Sequence, residues 1–441
     1  MRTRTATTWL MVGALAIGAC GCAASHPTAH PSSRHSPRPT PAATGMQMSH
    51  DMPMSRLSPT RGAVQLRTGL EELFGEDAFA GIRVIRSRLR DGADFTQAAV
   101  SALSRNSDDL TMLLGRVYGS ARVAEFGRLW ESQEEGLVAY ARAASQHGQA
   151  AKAAKAAARH QLMAFPGRIA QNLRDLTSGK VTAAAIRSQL STHINDLIHF
   201  ANAYAAHNYA SAYRIEQVDY QHQFALGTLI AAKIAGGRAK RLPANFNSPL
   251  TRLQSALGEL LGEHMQLVID AMGAALRGGP EFRADAAQVN GNTTQLAGAF
   301  GVLFGPQSGA AFTRVWGEHV DALVSYSGAV ATKNQKSEAK ARAQLGAFEH
   351  HLSRFLSTST DGRLTAPALA GVLHMHDTEL VAQLNAYARG NYATAYQIGY
   401  EGYLHMFAVA QALSDAIGPT IAARLPKGGA QTGGGGMARY R

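Results

Sequence analysis

AYAAHNYASAYRIEQVDYQHQFAL, residues 203–226, returns as AYARGNYATAYQIGYEGYLHMFAV, residues 386–409, without a gap. Tyr209 falls on Tyr392 and His222 on His405. Upstream, VTAAAIRSQLSTHINDL (181–197) matches LTAPALAGVLHMHDTEL (364–380), with His193 on His376. Earlier still, LEELFGEDAF (70–79) matches LGELLGEHMQ (257–266), and FGRLWESQEEGLVAY (126–140) matches FTRVWGEHVDALVSY (312–326). Self-similarity this long is a tandem duplication. The repeats run over 62–241 and 248–426, and Leu242-Pro243-Ala244-Asn245 links them.

Within each repeat the apolar residues recur at helical spacing. Alanine, the best helix former, is frequent, and no strand-like alternation stands out. Asn106-Ser107 and Asn292-Thr293 read as helix N-caps. Gly119 and Gly305-Pro306 break the chain before a long helix that carries a tryptophan. Thr177-Ser178-Gly179 and Asp361-Gly362 separate two later helices. The expectation is an all-α protein of two tandem homologous helical bundles, each with four or five long helices and one or two short ones.

The N-terminal residues set an expected compartment. Arg2 and Arg4 precede an apolar run, 9–18, that is too short to span a bilayer and reads as an export signal. Ile17-Gly18-Ala19-Cys20 resembles a bacterial lipoprotein cleavage box, with 1–19 as signal peptide and Cys20 as the acylated residue; Cys22 is a second candidate. Residues 20–61, rich in Pro, Ser, His and Met, read as a tether, and 427–441 as a Gly-rich tail. The protein is thus expected to be exported and lipid-anchored on the outer face of a membrane in the cell envelope. Cys20 and Cys22 are the only cysteines, so any metal in the folded part falls to His, Met, Asp or Glu. The net charge of +12 comes without a dense Lys/Arg block. It suits an anionic envelope surface, and no nucleic-acid partner is expected.

Four histidines in the second repeat lie on apolar stripes. His264 has Leu257, Leu260, Leu267 and Val268 at helical spacings, and His319 has Phe312, Val315, Trp316 and Leu323. His376 has Leu369, Val372, Leu373 and Leu380, and His405 has Ile398, Ala408 and Val409. A buried imidazole left unpaired costs about 1–3 kcal/mol, and one metal ion would satisfy several at once. His374 should point away, toward solvent. Glu263 and Glu318 should lie at the rim, and Glu379 is placed to orient His376. The first repeat holds Asp77, Gln133, His193 and His222 at the same positions, which read as a degenerate site sharing a polar centre. MQMSHDMPM (46–54) adds Met46, Met48, His50, Met52 and Met54, whose soft thioethers select Cu(I); His26, His30 and His35 lie nearby in the tether.

The motifs LLGEHMQL (260–267), NTTQL (292–296), WGEHVDALVSY (316–326) and YLHMF (403–407) resemble those of secreted bacterial all-helical proteins, often carried in tandem and labelled copper amine oxidase-like. The resemblance covers both repeats and implies a helical fold and an exported compartment. The first repeat departs from it at Asp77 and Gln133. Amine oxidation is not expected: its quinone needs an acid after Asn-Tyr, where this chain has Asn208-Tyr209-Ala210 and Asn391-Tyr392-Ala393. Asn at those points reads as a helix cap.

Three functions compete. The first is a non-enzymatic envelope lipoprotein that stores, buffers or delivers copper or a related metal, with a metal donor or acceptor protein as partner. The second is a structural or interaction lipoprotein whose histidines are polar core. The third is a di-iron-type bundle enzyme, which would need bridging carboxylates that the core stripes of the second repeat lack.

Overall fold

Thirty-two residues from Pro59 to Arg90 form the first of twelve long helices among the described residues. The computed structural model describes residues 59–90, 93–236 and 245–424. Cys20, Cys22, the tether histidines, Met46, Met48, His50, Met52, Met54 and the 427–441 tail lie outside the described residues. The first repeat comprises α1 (Pro59–Arg90), α2 (Ala93–Tyr118), α3 (Ser120–Ala144), α4 (Gln149–Leu176), α5 (Ala183–Ala205) and α6 (Tyr209–Gly236). The second comprises α7 (Pro249–Arg277), α8 (Phe282–Phe304), α9 (Pro306–Ala331), α10 (Gln335–Ser359), α11 (Ala366–Ala388) and α12 (Tyr392–Arg424). The fold is all-α, with no strand among the described residues. Among the described residues each repeat has six long helices, where four or five long and one or two short ones are expected from the spacing. Among the described residues, no helix is long and apolar enough to cross a membrane.

The helix ends follow from local chemistry. Ser248 caps α7 by accepting from the Thr251 N–H at 3.1 Å, Pro249 fits the first turn, and Gly278 closes the far end in the left-handed region. Gly119 (φ 88°) and Gly305 (φ 99°) make the same break before α3 and α9, a conformation that only glycine adopts cheaply. Ser178 and Asp361 both sit at φ 52°, each followed by a left-handed glycine, so the duplicated sequence builds duplicated turns. Asn208 caps α6 by accepting from the Ser211 N–H.

The expected caps at Asn106 and Asn292 are corrected. Both residues are buried inside helices, α2 and α8. Their side-chain amides donate to the carbonyls of Leu73 and Leu260 on the neighbouring helix, at 2.9 and 3.0 Å. A short polar side chain in mid-helix needs a partner across the interface when water is excluded.

Two apolar cores form, one per repeat, and residues of α1 and α6 join the second. The seam between them is reciprocal. Tyr220 donates to the Glu259 carbonyl at 2.9 Å, and Tyr403 donates to the Glu72 carbonyl at 2.9 Å. Phe224 stacks on its counterpart Phe407 with ring centroids 6.3 Å apart. A Cβ on Gly75 would lie 2.8 Å from Tyr220 and Tyr403, and one on Gly262 would lie 2.9 Å from Tyr403 and Phe407. Such self-complementary pairing is what a two-fold arrangement of like units requires. Arg83 and Arg86 of α1 also cross the seam to buried Asp270 of α7.

Candidate metal centre

α7, α9 and α11 each turn one histidine inward. His264 and His319 are fully buried and His376 is 3% exposed. Their ring centroids are 5.7 Å apart for His264–His319, 6.0 Å for His264–His376 and 5.6 Å for His319–His376. One nitrogen from each ring lies within 4.8 Å of the other two. Three points so spaced fit within about 2.8 Å of a common centre. Metal–imidazole bonds are about 2.0–2.1 Å, so small side-chain rotations close the difference.

None of the six ring nitrogens has a hydrogen-bond partner among the described residues. Asp377 Oδ1 approaches His319 Nδ1 at 3.2 Å, without the alignment a hydrogen bond needs. Aromatic walls hold the rings: Phe348 stacks on His319 at 4.3 Å, and Trp316 lies 4.7 Å from His264.

All three imidazoles are held neutral. Burial, then the charge of His376, pushes His264 well below the usual imidazole range, with neighbouring Asn292 opposing. Burial and the two neighbouring imidazoles do the same to His319. Burial, then His405, pushes His376 down to about 4. A neutral imidazole keeps the lone pair that a metal uses.

His405 is not brought into the cluster. Its Nδ1 meets Glu379 Oε1 at 2.5 Å, and that hydrogen bond raises its pKa. The carboxylate occupies Nδ1 and favours the protonated form, so this ring nitrogen is engaged away from the cluster. Glu379 therefore pairs with His405 and not with His376. Glu263 is also corrected: it is buried, not at the rim, and accepts from Asn292 at 2.8 Å. Glu318 is exposed, as is His374, which bonds Glu349. Sequence reading missed Asp377, which stands one residue off the His376 stripe and is 3% exposed. The missed sign was an acid beside a core histidine; its 3.2 Å approach puts a buried carboxyl next to His319.

The first repeat shows what full pairing looks like. Trp130 Nε1 donates to Asp77 Oδ1 at 3.1 Å, and Asp77 Oδ2 lies 3.4 Å from His193 Nε2. His193 Nδ1 meets Asp219 at 2.8 Å, and Gln133 and Gln223 complete the network at 3.4 and 3.3 Å. Burial acts to lower the His193 pKa, but Asp219 and Asp77 outweigh it and raise it. Of the four expected positions, Asp77, Gln133 and His193 meet. His222 instead pairs with Asp196 at 3.0 Å, in the same way as His405 with Glu379.

An apolar cavity lies beside His376, with Trp316, Leu257, Leu296, Leu373 and Met406 also in its walls. It leaves about 40 Å³ in which the centre of a water-sized sphere can move. The Trp316 indole nitrogen is buried and has no hydrogen-bond partner among the described residues. No protein-family model, curated protein or solved structure matches this chain.

Proposed function

We propose that this protein is an envelope-anchored lipoprotein that holds copper or a related transition metal on His264, His319 and His376, for storage, buffering or delivery. One observation carries the reading: three neutral imidazoles converge while, among the described residues, none of their six nitrogens makes a well-aligned hydrogen bond. Leaving them so costs about 1–3 kcal/mol for each unpaired group. The donor set fits a borderline or soft ion, since imidazole suits copper and zinc and copper leads the divalent affinity order. A purely structural polar core would resemble the first repeat, where the buried His193 has carboxylates at both nitrogens. The second repeat has lost those partners: Gly402 stands where Asp219 does, and His264 where Asp77 does.

Cys20 anchors the chain, and Met46, Met48, His50, Met52 and Met54 offer soft ligands that load or unload Cu(I). The partner is a metal donor or acceptor. No substrate turnover is part of this reading.

The test uses the full chain with Met46, Met48, Met52 and Met54 changed to Leu and His50 to Ala, purified from copper-, zinc- and iron-replete cultures. Mass spectrometry of metal content should find about one ion per chain, and His319→Ala should remove it. Unchanged metal in His319→Ala would rule out the three-histidine site.

A further inference from the structure

We infer that Glu349 and His374 form a second, surface metal site, the port through which a divalent ion reaches and leaves the three-histidine centre by way of Asp377. The port rests on the metal reading above and adds to it the place where the ion first binds.

Four donors make a line across α9, α10 and α11. His374 is 71% exposed, and its Nδ1 lies 3.1 and 3.2 Å from the two oxygens of Glu349. Phe348, the residue before Glu349, stacks on His319 at 4.3 Å, which brings this turn of α10 against the centre. Burial, then the nearby charge of Glu349, holds the Asp377 carboxyl well above the usual carboxylate range. Asp377 is 3% exposed, and its Oδ1 lies 3.2 Å from His319 Nδ1. Among the described residues neither Asp377 oxygen makes a hydrogen bond. Metal bonds to imidazole and carboxylate are about 2.0–2.2 Å, so donors 3.1 or 3.2 Å apart hold one ion jointly. The ion passes from donor to donor and is never stripped of ligands, which would be costly in apolar surroundings.

The first repeat lacks this line. QLGAFEHH (344–351) aligns with QLMAFPGR (161–168), which puts Pro166 where Glu349 stands. In the match of 364–380 with 181–197, Ser191 and Ile194 take the places of His374 and Asp377. The buried histidine there, His193, is already paired with carboxylates at both nitrogens. Donors leading to the surface thus accompany the histidines that are left open. The cavity on the other side of His376 offers no passage. It is walled mainly by leucine, phenylalanine and methionine and exposes no polar atom, so an ion would lose its water there with nothing in return. A carboxylate with an imidazole suits a divalent ion such as Zn(II) or Cu(II), whereas thioethers suit Cu(I).

The experiment uses the full chain free of metal, with the arm substitutions given above. Stopped-flow mixing follows Cu(II) uptake by quenching of tryptophan fluorescence, since Trp316 lies 4.7 Å from His264. Excess chelator measures release, and equilibrium dialysis gives affinity and ion count. His374→Ala with Glu349→Gln should slow uptake and release alike by roughly tenfold, the effect of about 1.4 kcal/mol in barrier. The affinity of the centre should stay unchanged, because a route lowers a barrier and leaves the equilibrium in place. With Zn(II) in excess the parent should hold one weak ion more than the double variant. His374 is exposed, so His374→Ala alone gives the same readings should the double variant fail to fold. Uptake at the parent's rate, or equal zinc counts, overturns the port and leaves the metal reading standing. A central affinity that falls together with the uptake rate marks a merely structural role and overturns the port too. A chain that takes up neither copper nor zinc overturns both.

Discussion

His319 and His193 are both buried histidines, one in each repeat, but they carry opposite energetic roles. His193 stands between Asp77 and Asp219, so its removal strands two buried carboxyls. We expect His193→Leu to cost about 3–5 kcal/mol in urea unfolding. His319 has no hydrogen-bonding partner to strand, so in metal-free protein His319→Leu should be neutral or stabilising. Equal losses in the two variants would contradict the contrast. A second residue-scale prediction concerns Glu76. Burial, partly offset by Arg83, raises its pKa from 4.5 to about 8. The folded state then holds the proton more tightly than the unfolded chain. The resulting stabilisation is complete below about pH 4.5 and is lost as pH rises to about 8. Glu76→Gln keeps the protonated shape without the titration. Its urea midpoint should fall less than that of the parent between about pH 5 and 8, and at the upper end the variant should be the more stable. A parallel decline in both proteins would show that Glu76 is not the group responsible.

At the scale of elements, α6 crosses close to α1 at Gly227. A Cβ on Gly227 would lie 2.5 Å from the Leu70 carbonyl oxygen and 2.7 Å from the Glu71 nitrogen. Both are backbone atoms and cannot turn aside, so the helices would have to separate. Alanine would add about 1 kcal/mol of helix propensity, but overpacking costs about 1–3 kcal/mol or more. Gly227→Ala should therefore lower the thermal midpoint, and an unchanged or higher midpoint would show that the crossing has slack. The same element-scale packing explains Asn106 and Asn292, whose positions inside α2 and α8 let them bond the carbonyls of Leu73 and Leu260.

Across the whole molecule, the seam between the repeats contains buried charge as well as aromatic packing. Arg83 and Arg86 reach Asp270, all three nearly excluded from water. The reciprocal Tyr220 and Tyr403 hydrogen bonds add to this. Neither repeat can open here without exposing such groups, so calorimetry should record one cooperative transition. Asp270→Ala leaves two arginines short of a partner, and we expect a loss of about 3–5 kcal/mol that lowers this transition without splitting it. Two separated transitions in the parent protein would show that the repeats unfold independently.

The sequence by itself determined the helical class, the duplication, the glycine breaks before α3 and α9, and the inward faces that carry His264, His319 and His376. These are local properties: helical spacing tells which side of a helix is apolar, and a repeated string tells that two segments share it. The tertiary structure decided the rest. Helical spacing does not say which neighbouring group a side chain meets. So only packing shows that Glu379 draws His405 away, that Glu263 lies buried against Asn292, and that Asp377 comes beside His319. The unpaired indole of Trp316 and the cavity beside it arise the same way. Each depends on atoms from two or more helices that become neighbours only when the bundle closes.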